Sequence, residues 1–435
     1  MIDQRKVLMV SVGHGGNLVA NAFLQRLLLM NGVAKSGIGT YDGPNREGLE
    51  VFCDQAAQWR PRRVLVDFVQ KEVTVANSAT YGQLYQDAVI GNQAIGKNFA
   101  KGFLGAGREL SDSAMSTIGR RIHELGGNCV IWLMHTLGGG CGSGLGSLLL
   151  NRLAEDFPEI PRVSIAVLPG PKVSDGITEP YNATLALSHI MTSAHQMICI
   201  DNQQLYDICY GVGGNPTPTY ANLNDIISGA LNTLVTPLIW PAADGRCMTL
   251  ENFHAALSPA MHDEATPWYE RDASEIAHTL KVVSLAAWEH ALPGWQDRKV
   301  GDEEMADHLA GDKMSTLASS GNGPWQTMFA VLSGPDAAPA GFASRLPQFA
   351  TVVSNKAPLG MIRRSAAAGV HSGVAETFMA LSDRFSTMFH RKAQLRAYTE
   401  EGLNEMAFTE AESILSNLVT AYRDAAEEGD AEEEG

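Results

Sequence analysis

Basic residues are scarce in this chain: 32 lysines and arginines stand against 48 aspartates and glutamates, and the formal net charge is −16. Sequence-independent binding to nucleic acid requires a basic surface that neutralises phosphates, so the charge balance argues against that class of protein. The six cysteines include no CxxC pair. Their spacing suggests neither a zinc site nor a disulfide framework.

Long apolar runs are also missing. No segment approaches the about 20 apolar residues that cross a bilayer, and the first residues, MIDQRKVLMVSVG, enter a strand without the pattern of a signal peptide. The 435 residues are 45% hydrophobic and 18% charged, which is typical of a globular protein with two or three domains. We expect a soluble, cytoplasmic protein that has no membrane partner.

The most informative stretch is NCVIWLMHTLGGGCGSGLGSLLL, from Asn128 to Leu150. It reads as a buried strand over Val130–Met134, a glycine-rich turn, and a helix that opens at Leu148–Leu150. Unpaired N–H groups at a helix start and missing side chains favour an anion site, to which Ser143 adds a hydroxyl donor. The spacing fits neither the P-loop nor the dinucleotide pattern, and an ordinary glycine-rich surface loop is the alternative.

Further segments repeat this design. KVLMVSV (residues 6–12) is a short apolar strand followed by GHGGN and an apolar helical run, and PRRVLVDF is a buried strand that ends in Asp67. Strand patterns also occupy 162–171 and 196–201. The first of these segments is thus a second strand–glycine turn–helix unit.

These segments carry a resemblance. GGGCGSG is one residue from the GGGTGSG signature of the tubulin/FtsZ superfamily, with Cys141 in place of threonine, and VGHGGNL is similar to the first nucleotide loop of tubulins. KVSDGITEPYNATL (Lys172 to Leu185) matches β-type tubulins nearly residue for residue. QMICIDNQQLYDIC and the stretch 389–424 are also similar to tubulin segments. The match is strongest in 97–227 and 374–424, and it indicates a divergent, β-like or bacterial-type tubulin.

The resemblance implies a fold and a domain order. It predicts a Rossmann-like parallel-sheet GTP-binding domain over 1–220 and a central helix over 221–240. A second α/β domain, the intermediate domain, would follow over 241–372. A C-terminal helical hairpin would cover 373–424, and the acidic residues 425–435 would be a disordered tail.

The resemblance also implies roles for individual residues. Lys97 would place a point charge near the γ-phosphate, Glu179 would accept from the ribose hydroxyls, and Asn202 would read the guanine edge. Asp67 would hold Mg²⁺, directly or through water, although Val69 replaces an acidic residue that usually assists. The expected nucleotide contacts are Gly13, His14, Gly15, Asn17, Asp67, Gly96, Lys97, Asn98, Thr136, Gly138, Gly139, Gly140, Cys141, Gly142, Ser174, Asp175, Glu179, Asn202, Tyr220 and Asn224.

The second half of the chain departs from the family. In tubulins an acidic loop on one subunit positions water at the nucleotide of the next subunit. Here one alignment places Glu251 and Asn252 at that position, and asparagine cannot act as a base. A rival alignment over RDASEIAHTL places Asp272 and Glu275 there instead. Both alignments remain open from the sequence.

We therefore expect a GTPase of weak or partner-dependent activity that uses GTP/GDP and Mg²⁺ and polymerises head to tail into cytoskeletal filaments. Its partner would be a second copy or another tubulin-like subunit, through longitudinal and lateral contacts. The acidic tail would attract basic partners. The alternative is a GTP-binding regulator that caps or nucleates filaments without polymerising itself.

Overall fold

The computed structural model describes residues 5–38, 46–55, 58–70, 81–84, 87–174, 176–211, 214–242, 245–257, 282–289, 302–310, 325–333, 339–346, 350–354 and 364–433. Within these ranges no helix is both long enough and apolar enough to span a membrane.

The strands, in chain order, are β1 (Lys6–Val12), β2 (Cys53–Gln55), β3 (Trp59–Pro61), β4 (Arg63–Asp67), β5 (Asp87–Ile90), β6 (Cys129–Thr136), β7 (Arg162–Leu168), β8 (Gln196–Asp201), β9 (Val282–Glu289), β10 (Phe329–Ser333), β11 (Ala350–Ser354) and β12 (Arg364–Gly369).

The helices are α1 (Gly13–Met30), α2 (Arg46–Leu49), α3 (Phe99–Phe103), α4 (Ala106–Glu124), α5 (Gly146–Asp156), α6 (Glu179–Ser193), α7 (Asn202–Gly211), α8 (Tyr220–Leu234), α9 (Thr236–Ile239), α10 (Leu250–Ala256), α11 (Asp302–Ala310), α12 (Pro339–Ser344), α13 (Val374–His390), α14 (Arg396–Thr399) and α15 (Glu405–Glu433).

A ten-stranded sheet runs through the whole molecule in the order β11-β10-β12-β9-β8-β7-β6-β1-β4-β5. From β5 to β9 all neighbouring strands are parallel. Parallel strands with helices on both faces are buried on both sides, which explains their nearly continuous apolar sequences. On β1, for example, Leu8 and Val10 point into one apolar layer, and Val7 and Met9 point into the other. The predicted α/β class is confirmed.

The second half continues the same sheet. Strand β9 pairs in parallel with β8, so that Met197 lies beside Val282, and β12 then runs antiparallel to both β9 and β10. The predicted intermediate domain therefore shares hydrogen bonds with the nucleotide-domain sheet. The sequence could not show this, because strand pairing is decided by partners that are far apart in the chain.

The central helix, expected over 221–240, is α8, which begins at Tyr220 and ends at Leu234, and the short helix α9 follows it. Thr219 caps α8 by accepting from the backbone N–H of Asn222, and the side chain of Asn222 closes the capping box. The predicted apolar stripe is confirmed, since its members are all buried: Leu223, Ile227, Ala230, Leu231 and Leu234. The helix packs on α1 and closes one face of the sheet.

The C-terminal helices α13 and α15 form the predicted hairpin. The rings of Phe378 and Tyr422 lie 6.3 Å apart, and those of Phe385 and Phe408 also lie 6.3 Å apart. One expectation is wrong: α15 continues to Glu433, so residues 425–433 are helical rather than disordered. Alanine and glutamate are both good helix formers, and a preceding packed helix removes the cost of nucleation.

Candidate functional site

The predicted nucleotide segments meet at one edge of the sheet. Strands β1, β4, β6, β7 and β8 are parallel neighbours, so their carboxyl ends face the same way. The turns that follow them carry Gly13, Asp67, Gly138, Ser174 and Asn202. Ligands of open α/β sheets bind in the crevice outside these ends.

The first glycine turn contacts the signature loop directly. Gly13 has a φ of +76°, and a β-carbon on it would lie 3.1 Å from the backbone nitrogen of Gly142 and 3.2 Å from Cβ of Cys141. A β-carbon on Gly15 would lie 2.4 Å from Cγ2 of Thr136. The GHGGN segment is not a separate loop, because α1 begins at Gly13. His14 stands exposed on its first turn.

Four further glycines of these loops fall into two groups. Gly140 and Gly142 are needed for packing, since a β-carbon would meet the carbonyl oxygen of Asn98 at 2.5 Å and that of Thr136 at 2.3 Å, respectively. Gly139 and Gly96 have nothing within 4 Å of such a position. The space beside these two glycines would allow an anion such as phosphate to approach the backbone.

The second part of the signature loop is helical. Residues Cys141–Leu145 form a π-helical turn that leads into α5 at Gly146, two residues before the predicted helix start. Ser143, which the sequence suggests as a ligand donor, donates its hydroxyl to the carbonyl of Gly139 at 2.5 Å. Its role is to close the turn.

His135 supports this turn from below, and the sequence analysis missed it. Its Nδ1 lies 2.7 Å from the carbonyl oxygen of Gly142 and its Nε2 lies 2.8 Å from Oγ of Ser164. Because a carbonyl only accepts, Nδ1 carries the proton and Nε2 accepts from the serine. The only available signal was a histidine in an otherwise apolar strand, CVIWLMHT.

Glu179, the expected ribose ligand, is buried at the first residue of α6. Its Oε1 lies 3.1 Å from Nζ of Lys97, and its Oε2 accepts from the hydroxyl of Ser174. The structure thus brings the expected phosphate lysine, ribose carboxylate and sugar-loop serine into one cluster. The pair is half open to solvent on the lysine side.

Asn182 is a second residue that the sequence analysis missed. Its Oδ1 accepts from the backbone N–H of Phe99 at 2.9 Å and from the hydroxyl of Tyr398 at 2.6 Å. Its Nδ2 donates to the carbonyls of Lys97 at 3.1 Å and Gly138 at 2.8 Å. One fully buried amide therefore joins two expected phosphate loops. The EPYN segment places it one helical turn after Glu179, which was the available signal.

Asn98, also expected at the nucleotide, is engaged in the fold. Its Oδ1 caps α3 by accepting from the backbone N–H of Lys101 at 3.1 Å, and its Nδ2 donates to the carbonyl of Ala397 at 2.9 Å. This side chain ties the phosphate loop to the C-terminal helices. A nucleotide would therefore meet the backbone of Asn98 more readily than its amide.

Asp67 lies buried at the end of β4. Its Oδ1 accepts from the N–H of Phe68 at 2.7 Å, and its Oδ2 accepts from Nδ2 of Asn17 at 3.0 Å. Burial, together with the charge of Asp67, raises the pKa of the Cys141 thiol well above its usual range, so the carboxylate and the signature loop are neighbours. Among the described residues no cluster of three metal-binding side chains exists. A single carboxylate fits Mg²⁺ only where phosphates and water supply the other ligands.

The three residues expected to contact guanine lie on α7 and α8. Asn202 is the first residue of α7, and Tyr220 and Asn224 lie one turn apart on α8. The Tyr220 side chain is 63% exposed. Within the described residues, no hydrogen bond occupies the amides of Asn202 and Asn224. These three side chains are available to a planar, hydrogen-bonding ligand.

Buried titratable groups predict how stability depends on pH. Burial lowers the pKa of His135 to about 4 and that of His254 to about 3, whereas the unfolded chain binds these protons near pH 6.5. Between those values the unfolded state holds more protons, so the free energy of unfolding should fall as the pH is lowered from about 6.5 towards about 4. Urea denaturation over this range measures the slope.

Asp201 opposes this trend and provides the control. Burial raises the pKa of Asp201 to about 7, against 3.8 in the unfolded chain. Its contribution to the free energy of unfolding is therefore complete below pH 3.8 and is lost as the pH rises through about 7. The Asp201→Asn variant lacks this contribution and should lose stability more steeply than the wild type on acidification. Parallel curves for the two proteins would contradict the assignment.

The candidate catalytic residues lie at the opposite edge of the sheet. Glu251 and Asn252 are in the first turn of α10, and Oε2 of Glu251 lies 3.6 Å from Nε of Arg5, just before β1 begins. Strand β1 has seven residues and ends at Val12, directly before Gly13, which separates the two edges by roughly 20 Å. Glu251 therefore cannot reach a nucleotide on its own subunit. Asp175, Asp272 and Glu275 lie outside the described residues.

Comparison with known proteins agrees with this geometry. The model of the tubulin/FtsZ family GTPase domain matches residues 6–210, which contain the glycine loops, Asp67, Glu179 and Asn202. The tubulin beta-2 chain of Hypocrea virens is 30% identical over 455 aligned positions, covering 99% of this chain and 97% of that protein. With its nucleotide loops at one sheet edge and its similarity extending over the full length, this chain is a member of the tubulin family and carries that family's GTP-binding, GTPase-type domain.

Proposed function

We propose that this protein is a filament subunit that binds GTP, associates head to tail, and has its GTP hydrolysed at the contact with the next subunit. The observation that carries the proposal is the distance between the two halves of the machinery. The glycine loops follow the carboxyl end of β1, and Glu251 lies beside Arg5 at the amino end. Stacking subunits along the strand direction would bring one subunit's Glu251 to the next subunit's nucleotide.

The nucleotide would be held by three groups of contacts. Phosphates would lie against the open backbone beside Gly96 and Gly139, where helix starts add a favourable dipole. The ribose would exchange hydrogen bonds with Glu179, which already lies beside Lys97 and Ser174. Guanine would stack on Tyr220 and bond to the amides of Asn202 and Asn224.

Magnesium would reach the protein through Asp67. The residues fit this role, because the carboxylate accepts hydrogen bonds from the N–H groups of Phe68 and Val69 and from the amide of Asn17, and it borders the signature loop. When bound, the ion neutralises charge on the phosphates. The side chain two positions later is Val69, so the remaining ligands would be phosphate oxygens and water.

Activation of water is assigned to Glu251 in trans. A carboxylate can take a proton from water, whereas the neighbouring Asn252 can only orient it. Arg5 holds Glu251 at the first turn of α10, and Thr249 caps that turn by accepting from the N–H of Asn252 at 3.2 Å. The rival pair, Asp272 and Glu275, remains a proposal that the same assays test.

Partners and location follow from the same proposal. Longitudinal contacts would join a nucleotide edge to an α10 edge, between copies of this chain or with a second tubulin-like subunit. The acidic residues of 425–435 would attract basic partners, and the filament would be part of a cytoplasmic cytoskeleton. The net charge of −16 continues to argue against nucleic acid.

Sedimentation tests the proposal. The purified protein should pellet with GTP and not with GDP, and light scattering should rise with GTP in proportion to pelleting. Tight GTP binding without sedimentation would instead favour the alternative, a capping or nucleating regulator. Absence of GTP binding would refute both.

A further inference from the structure

A buried arginine, Arg63, lies beneath the phosphate side of the site. It is 2% exposed and projects from β4 into the layer between the sheet and α1. Most of this layer is apolar, with Val7, Met9 and Phe23 among its members. Burying a guanidinium costs free energy unless its N–H groups find hydrogen-bond acceptors.

Arg63 is surrounded by acceptors from two elements. Its Nε donates to Oγ of Ser11 on β1 at 2.8 Å, and one terminal nitrogen donates to Oδ1 of Asn21 on α1. The other terminal nitrogen donates to the carbonyl of Asn17 at 3.1 Å and to its Oδ1 at 3.2 Å. These four hydrogen bonds fix the guanidinium against the N-terminal half of α1.

This arrangement determines how Asn17 is oriented. Arginine only donates, so the atom of Asn17 that faces it must be the amide oxygen, which also accepts from Oγ of Ser11 at 2.7 Å. The amide NH₂ group therefore points the other way. It donates to Oδ2 of Asp67 at 3.0 Å and to the carbonyl of Val66 at 3.4 Å.

We infer that Arg63 is a positioning residue which, through the amide of Asn17, holds the Asp67 carboxylate in place to receive the magnesium of a bound nucleoside triphosphate. The inference rests on the proposed function, because Asp67 acts there on the metal–phosphate group. Asn17 transmits the orientation, because its Oδ1 is held by Arg63 and its Nδ2 is therefore directed at the Asp67 carboxylate. The Asn17 side chain therefore forms hydrogen bonds within the protein, and it would affect nucleotide binding only indirectly, through Asp67.

The neighbouring residue provides a matched control. Arg62 is also 2% exposed, but its bonds go to Asp54 and to the carbonyls of Val51, Glu50 and Cys53. It fastens the β2–β3 hairpin and makes no bond to Asn17 or Asp67. An effect of burial alone would appear at both arginines, whereas an effect on the metal would appear only at Arg63.

The experiment measures the affinity for GTP with excess Mg²⁺ and again with chelator, and the ratio of the two is the magnesium enhancement. Arg63→Met should reduce this enhancement by about 10-fold or more, while affinity for GDP in chelator stays within about 2-fold of wild type. Asn21→Ala, which removes one anchor of the guanidinium, should shift the enhancement in the same direction by a smaller factor. Arg62→Met should lower the melting temperature and leave the enhancement unchanged.

The outcomes are distinguishable. An unchanged enhancement in Arg63→Met, or an equal loss in Arg62→Met, would overturn the inference while leaving GTP binding by the wild type intact. A wild type without any magnesium enhancement would overturn it as well. If Arg63→Met fails to fold, the magnesium enhancement of Asn21→Ala and Ser11→Ala tests the inference instead. Asn21→Ala removes one acceptor of Arg63, and Ser11→Ala removes another acceptor of Arg63 together with a donor to Asn17. A wild type that does not bind GTP would refute the proposed function itself.

Discussion

Two subunits that are each unable to hydrolyse GTP should recover activity when they are mixed. The first variant, Glu251→Gln, keeps an intact nucleotide site, and the second, Asn202→Leu, keeps an intact Glu251. Each alone should lose activity by about 100-fold or more, as expected for removal of a general base or of base recognition. In an equimolar mixture about a quarter of random contacts pair the intact nucleotide site with the intact carboxylate. Phosphate release from the mixture measures the recovery.

The control is the double variant, Glu251→Gln with Asn202→Leu, which should restore nothing to either single variant. Recovery with the double variant would mean that contamination or another residue carries the activity. No recovery in the original mixture would contradict hydrolysis by Glu251 in trans. Repeating the mixture with Asp272→Asn or Glu275→Gln in place of Glu251→Gln then tests the rival alignment.

Replacing Asn182 by leucine should nearly abolish nucleotide binding. The side-chain amide forms hydrogen bonds with the N–H of Phe99, the carbonyls of Lys97 and Gly138, and the hydroxyl of Tyr398. An apolar side chain of similar size would leave these four groups without that partner. Each unsatisfied buried group costs about 1–3 kcal/mol, so the two loops should no longer hold their present geometry. We expect the Kd for GTP to rise by about 100-fold or more. Titration with fluorescent GTP measures it, and thermal unfolding reports the accompanying loss of stability.

Thr184 offers a matched control on the same helix. It is fully buried, and its Oγ1 is among the buried atoms without a hydrogen-bond partner in the described part of the chain. Thr184→Val should therefore leave both nucleotide affinity and stability close to wild type. A similar loss in the two variants would show that any change in α6 disturbs the site, and the assigned role of Asn182 would be wrong.

Some local details could not be predicted, because the sequence does not record what packs against a segment. Around the signature glycines, Gly140 and Gly142 lie close to neighbouring backbone and Ser143 closes a π-helical turn. The tail composition suggested disorder, yet α15 extends to Glu433. In both cases the local structure depends on an adjoining element: the neighbouring backbone at the glycine loop, and the packed first part of α15 at the tail.

The sequence by itself determined the order of strands, turns and helices, and with it the edge at which the nucleotide loops meet. Parallel strands all end on one side, so a strand followed by glycines or by Asp67 or Asn202 places those residues there without further information. Apolar periodicity likewise predicted the central helix and the C-terminal hairpin.

Only the tertiary structure decided which polar groups hold the site together. Asn182, His135 and Arg63 are polar residues in buried elements, and their partners lie on other segments of the chain. A lone buried polar residue is ambiguous in a sequence, because its role depends on which acceptor or donor the fold brings within about 3 Å. The separation of Glu251 from the glycine loops was settled in the same way. It depends on which end of β1 the helix α10 packs against.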